Sequence, residues 1–171
     1  MAGRPARASG IIKMLKEDHR KLQLLFEAFE SAEGREQADL AAAAIMELEV
    51  HADVEDNLIY LAIRKHLAEA KMMNKAEEEH HLVQILIKKL KKLKPKLKKI
   101  TPKDEVFQAK FKLLGELVQH HIEEEEEIML PKAKECAINW KKLETAVRKR
   151  REKLSGHKKA RRVERAARRA A

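Results

Sequence analysis

HHIEEEEEIMLP, residues 120–131, sets two histidines and five glutamates between apolar flanks. Upstream, Phe111, Leu114 and Val118 step by three and four residues, the interval at which one face of an α-helix recurs. Carried through the charged run, the same stepping selects His121 and Glu125 and then Ile128. Glu123, Glu124 and Glu127 fall away from that face or on its edge. A core stripe thus carries an imidazole and a carboxylate where leucines would be expected.

Three further stripes repeat the pattern. They read Ile12, Leu15, His19, Leu22, Phe26, Phe29; then Ala44, Leu48, His51, Glu55, Leu58, Ala62; then Met73, Ala76, His80, Val83, Ile87, Leu90. Each holds one histidine at an apolar position. Composition agrees with helix, because Gly supplies 5 residues, Pro 4 and aromatics 4%, while Ala, Leu, Glu, Lys and Arg dominate. The predicted fold class is all-α: an antiparallel up-down-up-down four-helix bundle with an extra C-terminal helix and a basic tail. A chain of 171 residues is long enough for one such core.

Breakers divide the chain accordingly. Residues 1–10 are expected to be a flexible N-terminus and 11–135 the bundle. Ser31 to Gly34 closes the first helix. The second connection, residues 64–74, has no Gly or Pro, and Asn74 with Glu77 is a possible capping pair. Pro95 ends or kinks the third helix, and Thr101-Pro102 reads as N-cap and first-turn proline of the fourth. Residues 136–155 form the additional helix, with Trp140, Leu143 and Val147 as a short apolar face, and Ser155-Gly156 ends it. Residues 156–171 are read as a basic tail, disordered or conditionally helical.

In an up-down bundle, core residues on consecutive helices share a level when the turn falls near their sequence midpoint. The midpoint of His19 and His51 is residue 35, beside Gly34, and that of His80 and position 123 falls on Thr101-Pro102. His19, His51, Glu55, His80, His121 and Glu125 are therefore expected in one buried layer. Buried ions cost several kcal/mol unless paired, and metal ions would satisfy the whole set. Both His-x-x-x-Glu pairs place a nitrogen and an oxygen on one helix face. Six mixed imidazole and carboxylate donors suit two ions, and favour iron or manganese over soft-metal chemistry.

The stretches MLKEDHRKLQLLFEAFE, ELEVHADVEDNLIYLAI, EEEHHLVQILIKKL and LVQHHIEEEEEIMLP resemble the hemerythrin-like, or HHE cation-binding, family. The ordered set His, His-x-x-x-Glu, His, His-x-x-x-Glu carries the resemblance over roughly residues 11–135. It implies two non-haem iron ions, oxo- or hydroxo-bridged, ahead of manganese or zinc. The implied ligands are His19, His51, Glu55, His80, His121 and Glu125, with the glutamates bridging. It also implies a small diatomic or peroxide ligand at the metal, in sensing or stress defence. The alternatives are an iron-storage or iron-sensing module without catalysis, and a structural metal-binding bundle. Two departures argue against reversible oxygen carriage. Ala76 stands where the family's oxygen carriers place a second third-helix histidine, leaving one iron open to solvent or to Glu77. Glu125 also follows His121 by four residues instead of five.

Adjacent pairs leave alternatives in register. The stripe favours His121 over His120 and His80 over His81; the spare histidines, with His66 and His157, are expected at the surface. Of 38 Lys/Arg and 28 Asp/Glu, residues 148–171 hold 12 and 2, which accounts for the whole net charge of +10. That tail, and KKLKKLKPKLKK at 88–99, could touch polyanions non-specifically, although no nucleic-acid signature accompanies them. One cysteine, Cys136, excludes an internal disulfide and suits a reducing, cytoplasmic setting. MAGRPARASGIIKML has too short an apolar run for a signal peptide, and no 18-residue apolar stretch offers a membrane span. Nothing in the pattern specifies an oligomeric state.

Overall fold

The computed structural model describes the backbone of residues 9–93, 101 and 104–170, and the side chains of residues 10–93, 101 and 104–156. Among the described residues the chain is helical, without strands. In order come α1 (Ser9–Ser31), α2 (Gly34–Val54), α3 (Tyr60–Arg64), α4 (Ala70–Leu93), α5 (Glu105–Glu124), α6 (Leu130–Lys134) and α7 (Trp140–Ala170). Two π-helical turns, Glu55–Ile59 and Glu125–Met129, join α2 to α3 and α5 to α6. α1 packs along α2 and α4 along α5; α1 also meets α5, and α2 meets α4. α7 lies against α1, α2 and the first π turn.

Gly34 opens α2 with φ +61°, a left-handed conformation that a side chain would resist, so the link Ala32-Glu33 can be short. The other connections differ from the sequence reading. α4 begins at Ala70, and Asn74 and Glu77 do not cap it. Both accept hydrogen bonds from Arg64, at 3.1 and 2.6 Å. Glu77 is therefore tied to α3. Thr101 is not the N-cap of α5 either, since Asp104 holds that position. The Thr101 N–H and hydroxyl both donate to Asp104 Oδ2 at 2.8 Å, so this acid closes a turn before the helix. Pro95 and Pro102, like residues 1–8, lie outside the described residues.

The fifth helix continues through Ser155-Gly156 to Ala170, where the sequence reading ended it. An internal glycine costs about 1 kcal/mol against alanine, and the flanking Lys, Arg and Ala residues favour helix. Gly156 also has no positive φ, so it forms no left-handed cap.

The third stripe is buried in full: Met73, Ala76, His80, Val83, Ile87 and Leu90. In α1 the first core position is Ile11 instead of Ile12. In the second and fourth stripes the predicted phase holds as far as Glu55 and Glu125 and then slips by one residue. Beyond Glu55 the buried residues are Ile59, Tyr60 and Ile63, and beyond Glu125 they are Met129, Leu130 and Ala133, while Ile128 is 46% exposed. The π turns are the cause. The Tyr60 N–H bonds to the Glu55 carbonyl and the Leu130 N–H to that of Glu125, five residues back, so each turn absorbs one extra residue.

Two apolar clusters result. One joins Ile11, Leu15, Ile59, Ile63, Met73 and Ala133 to Trp140 and Val147 of α7. The other joins Leu22, Phe29, Val83, Leu90, Phe111 and Leu114. His19 falls between Leu15 and Leu22, and His80 between Ala76 and Val83, so a polar layer separates the clusters.

Candidate metal centre

The buried polar side chains among the described residues are Gln37 and six others: His19, His51, Glu55, His80, His121 and Glu125. The fold brings these six together in two groups that share Glu55. Ligand-type atoms of His19, His51, Glu55 and Glu125 lie within 4.8 Å of one another, as do those of Glu55, His80 and His121. Glu55 Oε2 is 3.2 Å from His51 Nε2 and 3.3 Å from His80 Nε2, and Glu125 Oε2 is 3.1 Å from His19 Nε2. In the second group, Nε2 of His80 and Nε2 of His121 face each other at 3.0 Å.

The opposite ring nitrogens meet carboxylates. His19 Nδ1 is 2.7 Å from Glu126, His80 Nδ1 2.6 Å from Asp56, and His121 Nδ1 2.8 Å from Glu79. His51 Nδ1 has its nearest acid, Asp18, at 3.6 Å. The arrangement has an internal two-fold logic. The acid before each single histidine, Asp18 or Glu79, faces the histidine of the His-x-x-x-Glu pair on the adjoining helix. The acid after each ligand-type glutamate, Asp56 or Glu126, faces a single histidine. With Nδ1 turned to an acid, Nε2 is the nitrogen presented to the centre.

Tyr60 breaks the two-fold relation, because its counterpart after the second π turn is Leu130. Its buried hydroxyl is 3.0 Å from His121 Nε2 and 3.5 Å from His80 Nε2, and donates to Glu125 Oε1 at 3.4 Å. Burial and then the charges of Glu125, Glu55 and Asp56 push this phenol well above its ordinary range.

Electrostatics bind the layer together. Burial works to lower the His19 pKa, but Glu125, Glu55 and Glu126 outweigh it and raise it to about 9. His80 is likewise raised to about 10, with Asp56 and Glu55 overcoming burial. Burial pushes Glu55 upward, yet His51, His80 and His121 hold it well below the usual carboxylate range.

The donors fit a metal. His19 Nε2, His51 Nε2, both carboxylate oxygens of Glu55 and Glu125 Oε2 are buried without a hydrogen-bond partner. Such atoms are costly to bury unless something satisfies them. All belong to residues of the first group, with Glu55 shared by the second, and neutral imidazole with carboxylate is a transition-metal donor set.

The family profile described as hemerythrin HHE cation binding domain matches residues 10–133. The chain belongs to this family. A solved structure, a hemerythrin HHE cation binding domain-containing protein from Mycobacterium kansasii, aligns with a TM-score of 0.63 and 24% identity. The alignment covers 83% of this chain and 87% of that one, and at this identity speaks for the fold. Comparison with curated proteins gives no match. The HHE profile stops at residue 133, before α7.

Around the HHE motif, the spare histidines are peripheral. His120, His81 and His66 are exposed, and His157 lies outside the described side chains. His120 forms a half-open cluster with Glu79 and Glu124, where the Lys75 ammonium bonds Glu124. Sequence reasoning missed Asp18, Asp56, Glu79 and Glu126 and gave Tyr60 no role. For the acids a signal was present: one precedes His19 and His80, and one follows Glu55 and Glu125. Cys136 is partly buried beyond the centre, and its thiol donates to the Lys132 carbonyl. Among the described residues no helix is long and apolar enough to cross a membrane.

Proposed function

We propose that this protein holds two non-haem iron ions and reacts with oxygen, peroxide or nitric oxide, in sensing or stress defence. His19, His51 and Glu125 serve the first ion, His80 and His121 the second, and Glu55 both. The antiparallel up-down-up-down order of the four helical arms belongs to the same reading. The observation that carries it is the shared carboxylate: Glu55, fully buried, touches a histidine of each group and has no other hydrogen-bond partner. Iron bound there would supply Lewis-acid and one-electron chemistry.

The residues of the chain do the rest. Asp56, Glu79 and Glu126 fix the imidazole rings and direct Nε2 inward. Glu55 and Glu125 offset the charge of the ions within a layer closed by apolar clusters on both sides. The second group has fewer carboxylates than the first, and the Tyr60 hydroxyl occupies its edge as a hydrogen-bond donor toward a small oxygen-containing ligand.

Metal analysis of protein produced with ample iron, together with its absorption spectrum, tests the reading. Two irons per chain with near-ultraviolet charge-transfer absorption are expected, followed by consumption of peroxide or oxygen. Two irons without turnover would favour storage or iron sensing, and zinc or no metal would leave a structural bundle.

A further inference from the structure

α7 reaches the centre. Arg150 makes a two-pronged ion pair with Asp53, at 2.7 and 2.9 Å. Arg151 does the same with Asp18, bonding Oδ1 at 2.8 Å and also Oδ2. Asp18 Oδ2 is the atom that faces His51 Nδ1, across 3.6 Å. Beyond about 3.2 Å an N–H···O contact is weak, and His51 Nδ1 is the one outward-facing ring nitrogen of the four left buried without a partner. Its three counterparts sit at 2.6–2.8 Å from their acids.

The two-fold relation supplies the comparison. Glu79, the counterpart of Asp18, has Lys75 beside it at 3.5 Å, and Lys75 is half exposed and also engaged with Glu124. Glu79 still holds His121 at 2.8 Å. Asp18 instead faces a guanidinium whose planar fork takes both of its oxygens, in a partly buried setting where such a pair is strong.

We infer that Arg151 is a positioning residue that competes with His51 for Asp18 and so sets how firmly His51 holds metal. This rests on the reading of His51 as a metal donor. A carboxylate on Nδ1 strengthens an imidazole as a ligand; drawn toward Arg151, Asp18 gives His51 less of that support. α7 thereby tunes one ion of the pair, although it lies outside the matched domain.

The test uses the full chain loaded with cobalt(II), reading metal release to a chelator and the solvent exchange of the cobalt-shifted ring N–H signals. Arg151→Gln frees Asp18, so release of one ion should slow by about tenfold, the lower end of the effect of such outer contacts. The His51 ring N–H, identified by its loss in Asp18→Asn, should exchange more slowly. Arg151→Lys, with a point charge in place of the fork, should fall between, and serves if the glutamine variant does not fold. Asp18→Asn should release faster, and adding Arg151→Gln to it should change nothing more. Arg150→Gln, which removes an equivalent clamp without touching Asp18, should leave release unchanged. Faster release in Arg150→Gln and Arg151→Gln alike would overturn the inference and make α7 simple packing. Unchanged release in Arg151→Gln with two ions bound would also overturn it, while leaving the metal centre standing. A wild-type chain that takes up no cobalt would overturn both.

Discussion

The hydroxyl of Tyr60 lies 3.0 Å from Nε2 of His121, inside a layer whose other members are imidazoles and carboxylates. It gets there because the π turn at Glu55–Ile59 rotates the residues beyond it by one position. Tyr60→Phe keeps the buried ring and removes one hydrogen-bonding group. Stability of the metal-free protein should change by only about 1 kcal/mol, as read by denaturant unfolding. One of the two ions should be lost more readily than in the wild type. Equal loss of both, or of neither, would separate Tyr60 from the second group.

The same slip in phase gives a test of packing. A continuous α-helix would bury Leu58, and the π turn buries Ile59 in its place, at 0% exposure. Ile59→Ala should cost about 2–5 kcal/mol, the usual range for a large-to-small change in a core, and Leu58→Ala clearly less. Denaturation midpoints of the two variants decide it; a larger cost at Leu58 would mean the helix runs on without the turn.

These cases mark where the sequence was legible. Spacing alone located the four histidines and two glutamates in one layer, because helical periodicity is a property of local sequence. It could not show the π turns, since a single inserted residue changes hydrogen bonding from four to five residues and leaves no mark in composition. Ile128 therefore looked buried and is exposed, while Met129, which was not on the predicted stripe, is in the core. Capping was misread at Thr101 and Asn74 for a related reason: a polar side chain has several partners within reach, and only the fold selects among them. The acids Asp18, Asp56, Glu79 and Glu126 were visible but indistinguishable from a solvated helix face until their partners on neighbouring helices were known.

Register within the adjacent pairs is open to direct measurement. His121 is buried and His120 is exposed, as are His80 and His81 respectively. His121→Ala and His80→Ala should each lower metal content far more than the change at the neighbouring histidine. Glu55→Gln should go further and remove both ions, because its carboxylate touches both groups, whereas Glu125→Gln should chiefly affect the first. Metal content per folded chain is the measurement. Retention of one ion in Glu55→Gln would show that the two groups bind independently.

The basic C-terminal arm can now be divided more finely than its charge suggested. α7 packs Trp140 and Val147 into one apolar cluster and anchors itself through Arg150 and Arg151. The residues that follow are helical to Ala170, and most of the chain's net charge lies in and just before them. A chain ending at Leu154 keeps both the packing and the anchors, so its metal content and spectrum should match the full-length protein. Any binding to DNA, RNA or acidic vesicles should weaken in that variant and fall steeply with salt in the parent, as screened contacts do. A chain ending at Asn139 loses the anchors as well, removes Trp140 and Val147 from their apolar cluster, and should unfold at lower denaturant. If the Leu154 truncation loses metal, the residues after Leu154 contribute to the centre through contacts beyond Arg151. If neither form binds polyanions at physiological salt, the charge serves solubility, and the function of α7 lies in what Arg150 and Arg151 hold.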